Sequence, residues 1–363
     1  MTDEPQKPDL EPTPIVSIVI VNWNGKDFID RCLNSVLKTR GPKYEVVVVD
    51  NASTDGSDDL VERVCACDNR VKLIRVGSNA GFSGGNNIGA SFSSGKYIVL
   101  LNPDTEVERN WLSPLLEAAD SMDGCIIQSK LRIMNSDLLD GLGDFPTIHG
   151  ISLMLGHNQG CEIPSSYEIF SARAAAMMVR KDTFLALGGF DPDFFNGYED
   201  VDFGWRHRLA GGKAILVKHS VVYHTGRVFT KRAGSREFFH KHKNSIATVI
   251  KNYSLRKVLA ITPATIIIRT LISSAPNTDL RGMMGSTFSA IAATFWVLGH
   301  FRSIWKKHLF VQLHVRRVSD AEIQQHMLPS SFYVDVLRWV FAREGRGRFW
   351  DFLFRSMLKY VPR

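Results

Sequence analysis

Five cysteines stand in 363 residues, none spaced as CxxC, and their odd number gives no paired framework. Neither a zinc knuckle nor a disulfide scaffold is supported. Cys32, Cys65, Cys67, Cys125 and Cys161 read instead as reduced cytoplasmic thiols. There is no GxGxxG and no GxxxxGK(S/T) loop; Gly81-Phe-Ser-Gly-Gly-Asn86 is neither, so dinucleotide and P-loop binding lack their fingerprints. Zinc-finger and RNA-recognition signatures are missing too, and no nucleic-acid partner is expected. Met1 to Pro14 is polar, acidic and rich in proline, without a secretory signal, and reads as a disordered leader. The rest is globular: 44% apolar residues suffice for one large α/β domain with an appendage.

Acid is scarce in the second half. Residues 201–363 hold 27 Lys and Arg against 8 Asp and Glu, a net of +19, whereas residues 1–200 hold 17 against 29, a net of −12. A half so basic suggests an anionic partner, whether acidic lipid headgroups, nucleic acid or a phosphorylated substrate, or else a merely solvated basic surface.

Residues 15–124 alternate buried strands with helices. Val16–Asn22, Tyr44–Asp50, Val71–Val76 and Tyr97–Leu101 are short runs rich in β-branched residues, and helical spacing recurs at Ile29, Cys32, Leu33 and Val36. The alternation predicts a mainly parallel sheet wrapped by helices. Ligands gather at the carboxyl ends of such strands. There the sequence is polar in every case: Asn22 and Asn24, then Asp50, Asn51 and Asp55, then Asn79, Gly81 and Asn86, then Asn102 and Asp104. Turn chemistry explains any one of these loops, but not all four as easily. Beyond 124, strands are expected near Cys125–Ser129 and Ala174–Arg180 around a long irregular stretch of the kind that binds ligands. Helices follow at Lys181–Leu187 and Val201–Ala210, then two short strands, Ala214–Val217 and Ser220–Tyr223. After Ser235 the chain reads as helical.

Two segments carry chemistry: Val99-Leu-Leu-Asn-Pro-Asp104 and Asn196-Gly-Tyr-Glu-Asp-Val-Asp202. Asp104, at the end of a buried strand, offers a hard oxygen that can share Mg2+ or Mn2+ with phosphate oxygens, or it is an ordinary turn aspartate. Glu199, Asp200 and Asp202 form an acidic cluster suited to general-base work, or they cap the helix that follows. Crowded carboxylates raise one another's pKa. A metal carboxylate facing a proton acceptor is the minimum equipment for moving a sugar off a nucleotide.

Val48-Val-Asp-Asn-Ala-Ser-Thr-Asp-Gly-Ser57, Asn79 to Gly89, Leu100 to Asp104, Gly188-Gly-Phe-Asp191 and Tyr198 to Asp202 resemble family 2 glycosyltransferases over about residues 15–250, with rhamnosyltransferase-like members nearest. The resemblance implies a GT-A fold, a nucleotide-sugar donor such as a UDP- or dTDP-sugar, a divalent metal and inversion at the anomeric carbon. It places Asp50 on the nucleobase, with Val21, Asn22, Asn79 and Gly81 lining the same pocket. It places Asp104 on the metal and Asn102, which stands where the family's DxD motif has its first aspartate, on ribose or phosphate. Asp200 matches the catalytic base, and His224 the late histidine that completes the metal site or touches diphosphate; a structural role for His224 stays open. Arg227, Lys231 and Arg232 read as a diphosphate lid or a solvated loop. Retention through a carboxylate nucleophile is also left open, as are nucleotide transfer and a non-catalytic scaffold.

Residues 251–363 form a basic helical extension. Gly282–Phe301 is twenty residues without a formal charge, though diluted by glycine, serine and threonine. Phe332–Phe341 and Phe349–Leu358 mix aromatics with arginine, as interfacial helices do. Three readings follow: attachment to an anionic membrane face, a shallow hairpin or span, or a soluble cap or homo-oligomer interface. The first places the protein at the inner face of the cell membrane with a glycan acceptor carried on a lipid.

Overall fold

The computed structural model describes residues 14–160, 166–226, 228–274, 280–333, 335 and 349–360. The leader, Cys161, Arg227 and most of the helix expected at Phe332–Phe341 lie outside the described residues, as do the side chains of Lys231 and Arg232.

The β-branched runs form strands β1 (Val16–Asn22), β2 (Tyr44–Asp50), β3 (Val71–Arg75) and β4 (Tyr97–Leu101), with helices α1 (Ile29–Leu37), α2 (Ser57–Cys67) and α3 (Gly81–Phe92) between them. The order 4-1-2-3 is parallel throughout, and Asn22 pairs directly with Asp50, so the polar strand ends share one rim. β1, β2 and β4 are buried along their whole length, as continuous apolar runs require when helices cover both faces.

The second half of the sheet is mixed. After β5 (Thr105–Val107) and helix α4 (Leu112–Ser121) comes β6 (Ile126–Ile133). The long irregular stretch then resolves into short strands: β7 (Leu139–Gly141), β8 (Asp144–Pro146), β9 (Ser152–Met154) and β10 (Tyr167–Ile169). β11 (Ala176–Arg180) runs antiparallel to β4. The two strands expected after 213 are one, β12 (Ala214–His224), whose register against β6 slips between Val217 and Val221. The slip lets Lys218 and His219 leave the ladder without ending the strand. β12 also pairs with β5, and His224 lies opposite Thr105. That pairing brings residues 120 apart to one place.

Helices α5 (Lys181–Ala186) and α6 (Glu199–Leu209) precede β12. α7 (Val228–Asn252), α8 (Leu255–Ser274), α9 (Leu280–Gly299), α10 (Phe301–Phe310), α11 (Asp320–Gln324) and α12 (Phe349–Leu358) follow, and the boundary drawn at 250 falls inside α7. Val258, Val297, Ile304, Val315 and Met357 share one continuous apolar core with Val19, Ile98 and Trp205. The extension is packed onto the sheet and its covering helices. Among the described residues no helix is long and apolar enough to cross a membrane.

Candidate active site

At the β1–β2 rim the amides work inward. The Asn22 side chain, fully buried, donates to Asp50 Oδ1 at 2.9 Å, Ser57 Oγ at 2.8 Å and Ser53 Oγ at 3.2 Å. Asp50 Oδ2 accepts from the Ser53 amide at 3.0 Å. Each Asp50 oxygen therefore spends one lone pair on the chain and keeps another. Asn51 Nδ2 donates to the Gly81 carbonyl at 2.9 Å, and Asn79 Oδ1 accepts from the Gly81 amide at 2.8 Å. Gly81 has φ +72°, and a Cβ there would lie 2.5 Å from the Phe195 carbonyl oxygen. Only glycine permits that approach. Val21, Asn22, Asp50, Asn79 and Gly81 thus line one rim.

At the end of β4, Asp104 is 4% exposed and its Oδ1 lies 3.1 Å from His224 Nε2. The other imidazole nitrogen, Nδ1, lies 2.9 Å from Asp140 Oδ2, and that same oxygen accepts from Arg173 Nη1 at 2.7 Å. Burial opposes a charge on His224, but Asp104 and Asp140 prevail and raise it to about 9. Burial likewise opposes ionisation of Asp104, and His224 prevails in holding it below the ordinary aspartate value. Asn102 Nδ2 sits 3.2 Å from His224 Nε2, while Asn102 Oδ1 is buried without a partner. An imidazolium offers only N–H there, so the amide oxygen is the atom chemically suited to that contact.

Asp104 Oδ1 is a hard oxygen donor of the kind that holds Mg2+ or Mn2+. His224 Nε2 carries a proton as it stands and would join Asp104 as a ligand only after losing it, with Asp140 on Nδ1 orienting the ring. In that state the two side chains would suit a divalent cation. They do not enclose one: among the described residues no group of three or more His, Cys, Asp or Glu side chains is arranged for a metal.

The acidic cluster sits at the start of α6, two residues earlier than its expected start at Val201. Phe195, Gly197 and Tyr198 all have positive φ, and this tight turn aims the helix N-terminus. Asn244 of α7 fastens the turn by donating to the carbonyls of Phe194, Asn196 and Gly197. Asp200 Oδ1 accepts from the Val201 amide at 2.8 Å, and its main-chain oxygen accepts from Ser171 Oγ at 2.6 Å. Burial, then repulsion from Asp200, pushes Glu199 up to about 8 and Asp144 up to about 7. Asp200 is also raised by burial, but the Arg173 guanidinium is its largest charged neighbour and pulls it back. Of the three, Asp200 is the one whose strongest charged neighbour is a cation, the Arg173 guanidinium.

Asp202 does not join them. Two residues along a helix is about 200° around it, so Asp200 and Asp202 face opposite ways. Asp202 is fully buried against Arg206 at 2.9 Å, Lys251 at 3.0 Å and Asn252 Nδ2 at 3.0 Å. It is a scaffold carboxylate.

Sequence reasoning missed Asp140, Asp144 and Arg173. They lie between its two segments: Asp104 contacts His224, His224 contacts Asp140, Asp140 contacts Arg173, Arg173 lies 3.8 Å from Asp144, and its charge reaches Asp200 without direct contact. The signal available was Leu139-Asp-Gly-Leu-Gly-Asp144, two acids among glycines in the stretch expected to bind a ligand.

A family model described as "Glycosyl transferase family 2" matches residues 17–180. Among curated relatives, the chain is 33% identical over 130 residues to the succinoglycan biosynthesis protein ExoO of Rhizobium meliloti, covering 36% of this chain and 37% of that one. It is 25% identical to the glycosyltransferase AglE of Haloferax volcanii over 68% of this chain and 79% of the relative. The chain spans less than half the length of several curated relatives it matches, ExoO among them. The solved structure of GalNAc-T7 with UDP, GalNAc and Mn2+ aligns with a TM-score of 0.56 at 18% identity, covering 85% of this chain and 59% of that one. This likeness shows the fold, which is GT-A. Residues 17–180 thus carry the sequence signature of a family 2 glycosyl transferase domain.

Proposed function

We propose that the protein is an inverting, metal-dependent glycosyltransferase of the hexosyltransferase type, moving a sugar from a nucleotide-sugar to a hydroxyl of a glycan. The observation that carries this reading is the ion-paired chain from Asp104 through His224 and Asp140 to Arg173, whose charge also reaches Asp200 without a direct contact. It supports a diphosphate-side carboxylate and a proton acceptor acting at one site.

The nucleoside lies along Val21, Asn22, Asn79 and Gly81, with the free lone pairs of Asp50 directed at the base. Asn102 takes ribose or phosphate. Asp104, with His224 once its Nε2 proton is lost, would hold Mg2+ or Mn2+, which when bound would supply Lewis-acid charge to the departing diphosphate. Asp200 accepts the proton of the attacking hydroxyl from the face opposite the diphosphate, a contribution of about 10²–10⁴-fold. Arg173 opposes the rise that burial imposes on Asp200, while Glu199, pushed up to about 8, stays largely protonated beside it and Asp144, pushed up to about 7, titrates near neutrality. Inversion follows from a single displacement with Asp200 as base rather than nucleophile. Likeness to rhamnosyltransferases favours a dTDP- or UDP-sugar, with dTDP-rhamnose a natural first donor. The basic second half supports a lipid-carried acceptor at the inner face of the cell membrane.

The test is nucleoside diphosphate release from UDP-, dTDP- and GDP-sugars with Mn2+ or Mg2+, by the intact protein and by Asp200→Asn. Metal-dependent release should fall by about 10²-fold or more in the variant. Equal release by the variant would overturn the assignment of the base. Pyrophosphate release from a nucleoside triphosphate and a sugar phosphate would overturn glycosyl transfer.

A further inference from the structure

α9 is apolar on the side that faces away from the protein. Ala290, Ala293 and Val297 are buried, while Phe288, Ile291, Phe295 and Leu298 are 44–69% exposed. At about 100° per residue the four exposed side chains occupy an arc of about 80°, a single continuous stripe. Large exposed apolar patches mark an interaction surface. Phe301 continues the stripe at the start of α10, and Leu313 lies exposed just beyond that helix. At the other end Phe288 also walls a hollow of about 320 Å³ between α7 and α9, lined by Phe239, Ser289, Ala292 and the guanidinium-bearing Arg236.

The charge beside the stripe selects its occupant. Residues 255–317 contain nine Lys and Arg and a single acid, Asp279, although Arg269, Lys307 and Arg316 are turned onto partners within the protein. Arg302 and Lys306, on the helix that follows the stripe, are exposed. A second copy meeting this face across a twofold axis would bring those cations against themselves. An anionic bilayer would accept the rings among its acyl chains and pair the cations with headgroups. No described helix is long and apolar enough to cross, so an α9 docked on a bilayer would lie in the interface plane.

We propose that the outward face of α9, flanked by Arg302 and Lys306, is an in-plane docking surface for an anionic lipid bilayer, with the Arg236 hollow at its edge seating a lipid phosphate. This deepens the membrane side of the proposed function and stands apart from its donor chemistry. The test is flotation of the intact chain with vesicles containing about 30% phosphatidylglycerol in phosphatidylcholine, against phosphatidylcholine alone. Wild-type protein should float with the anionic vesicles at low salt, and Phe288→Ser/Phe295→Ser should lower the bound fraction about tenfold or more. Arg302→Glu/Lys306→Glu should also release it, while nucleoside diphosphate release in solution stays at the wild-type level in both variants. Wild-type protein left in the supernatant, or variants that float equally, would overturn the docking surface. So would a wild-type dimer in sedimentation velocity that Phe288→Ser/Phe295→Ser splits, since the stripe would then be covered by a second copy. A protein that floats but turns over no donor keeps the docking surface and refutes the glycosyltransferase reading alone.

Discussion

Lys251→Met tests whether the base of the acidic helix is held by buried charge. Lys251 Nζ lies 2.6 Å from Asp191 Oδ2 and 3.0 Å from Asp202 Oδ2, and its side chain is 3% exposed. Removing one partner from a buried ion pair costs about 3–5 kcal/mol, because a desolvated charge is left behind. The structure argues for the lower part of that range. Asp191 retains Lys307, and Asp202 retains Arg206 and Asn252. A loss of about 3 kcal/mol is expected, a large share of the 5–15 kcal/mol that typically holds a domain together. Urea unfolding followed by the fluorescence of the buried Trp205 measures it. Asp202→Asn in the same background should cost much less than it does alone, since the two mutations act on one interaction. A loss below about 1 kcal/mol, or strict additivity, would refute the view of Asp202 as scaffold and return it to the list of candidate bases.

Asp140→Asn removes the carboxylate that orients His224 Nδ1, and should weaken Mn2+ binding about 10–100-fold in a fluorescence titration. Gly81→Ala forces a side chain onto φ +72° and into the Phe195 carbonyl, so the melting temperature should fall by the equivalent of more than about 1 kcal/mol. Glu199 is neutral in the folded chain up to about 8 but ionises at the ordinary value of 4.5 when unfolded, so it withdraws stability as pH rises through that window and no further above it. Glu199→Gln should therefore gain on the wild type between about pH 5 and pH 8 in parallel urea titrations, and a constant difference across that range would contradict the burial of its charge.

The parallel half of the sheet was legible because its strands are local: an apolar run, a polar end and a helical period lie within thirty residues of one another. Asp104, His224, Glu199 and Asp200 were legible because each sits at the boundary of such an element. Asp140, Asp144 and Arg173 were not. They sit in or beside strands of three to five residues, too short for a period to show, and only pairing with distant partners fixes where they point. Asp202 misled for a different reason. Closeness in sequence suggested one acidic cluster, whereas helical geometry splits it into a cleft pair and a buried anchor.

The C-terminal helices do more than cover the sheet. Lys251 and Lys307 converge from α7 and α10 on Asp191, and Lys307 also grips Asp193, on the segment leading into α6. Asn244 ties the turn between that segment and Glu199 to the middle of α7. The exposed stripe of α9 lies on the same helical layer, and Val297 joins it to the core that contains Trp205 of α6. A surface fixed in this way cannot shift relative to Asp200 without breaking desolvated ion pairs, each expensive to leave half-made. Docking through α9 would therefore set the distance between the cleft and the bilayer rigidly, so that a lipid-carried hydroxyl meets Asp200 by diffusing in the membrane plane rather than by a movement of the protein.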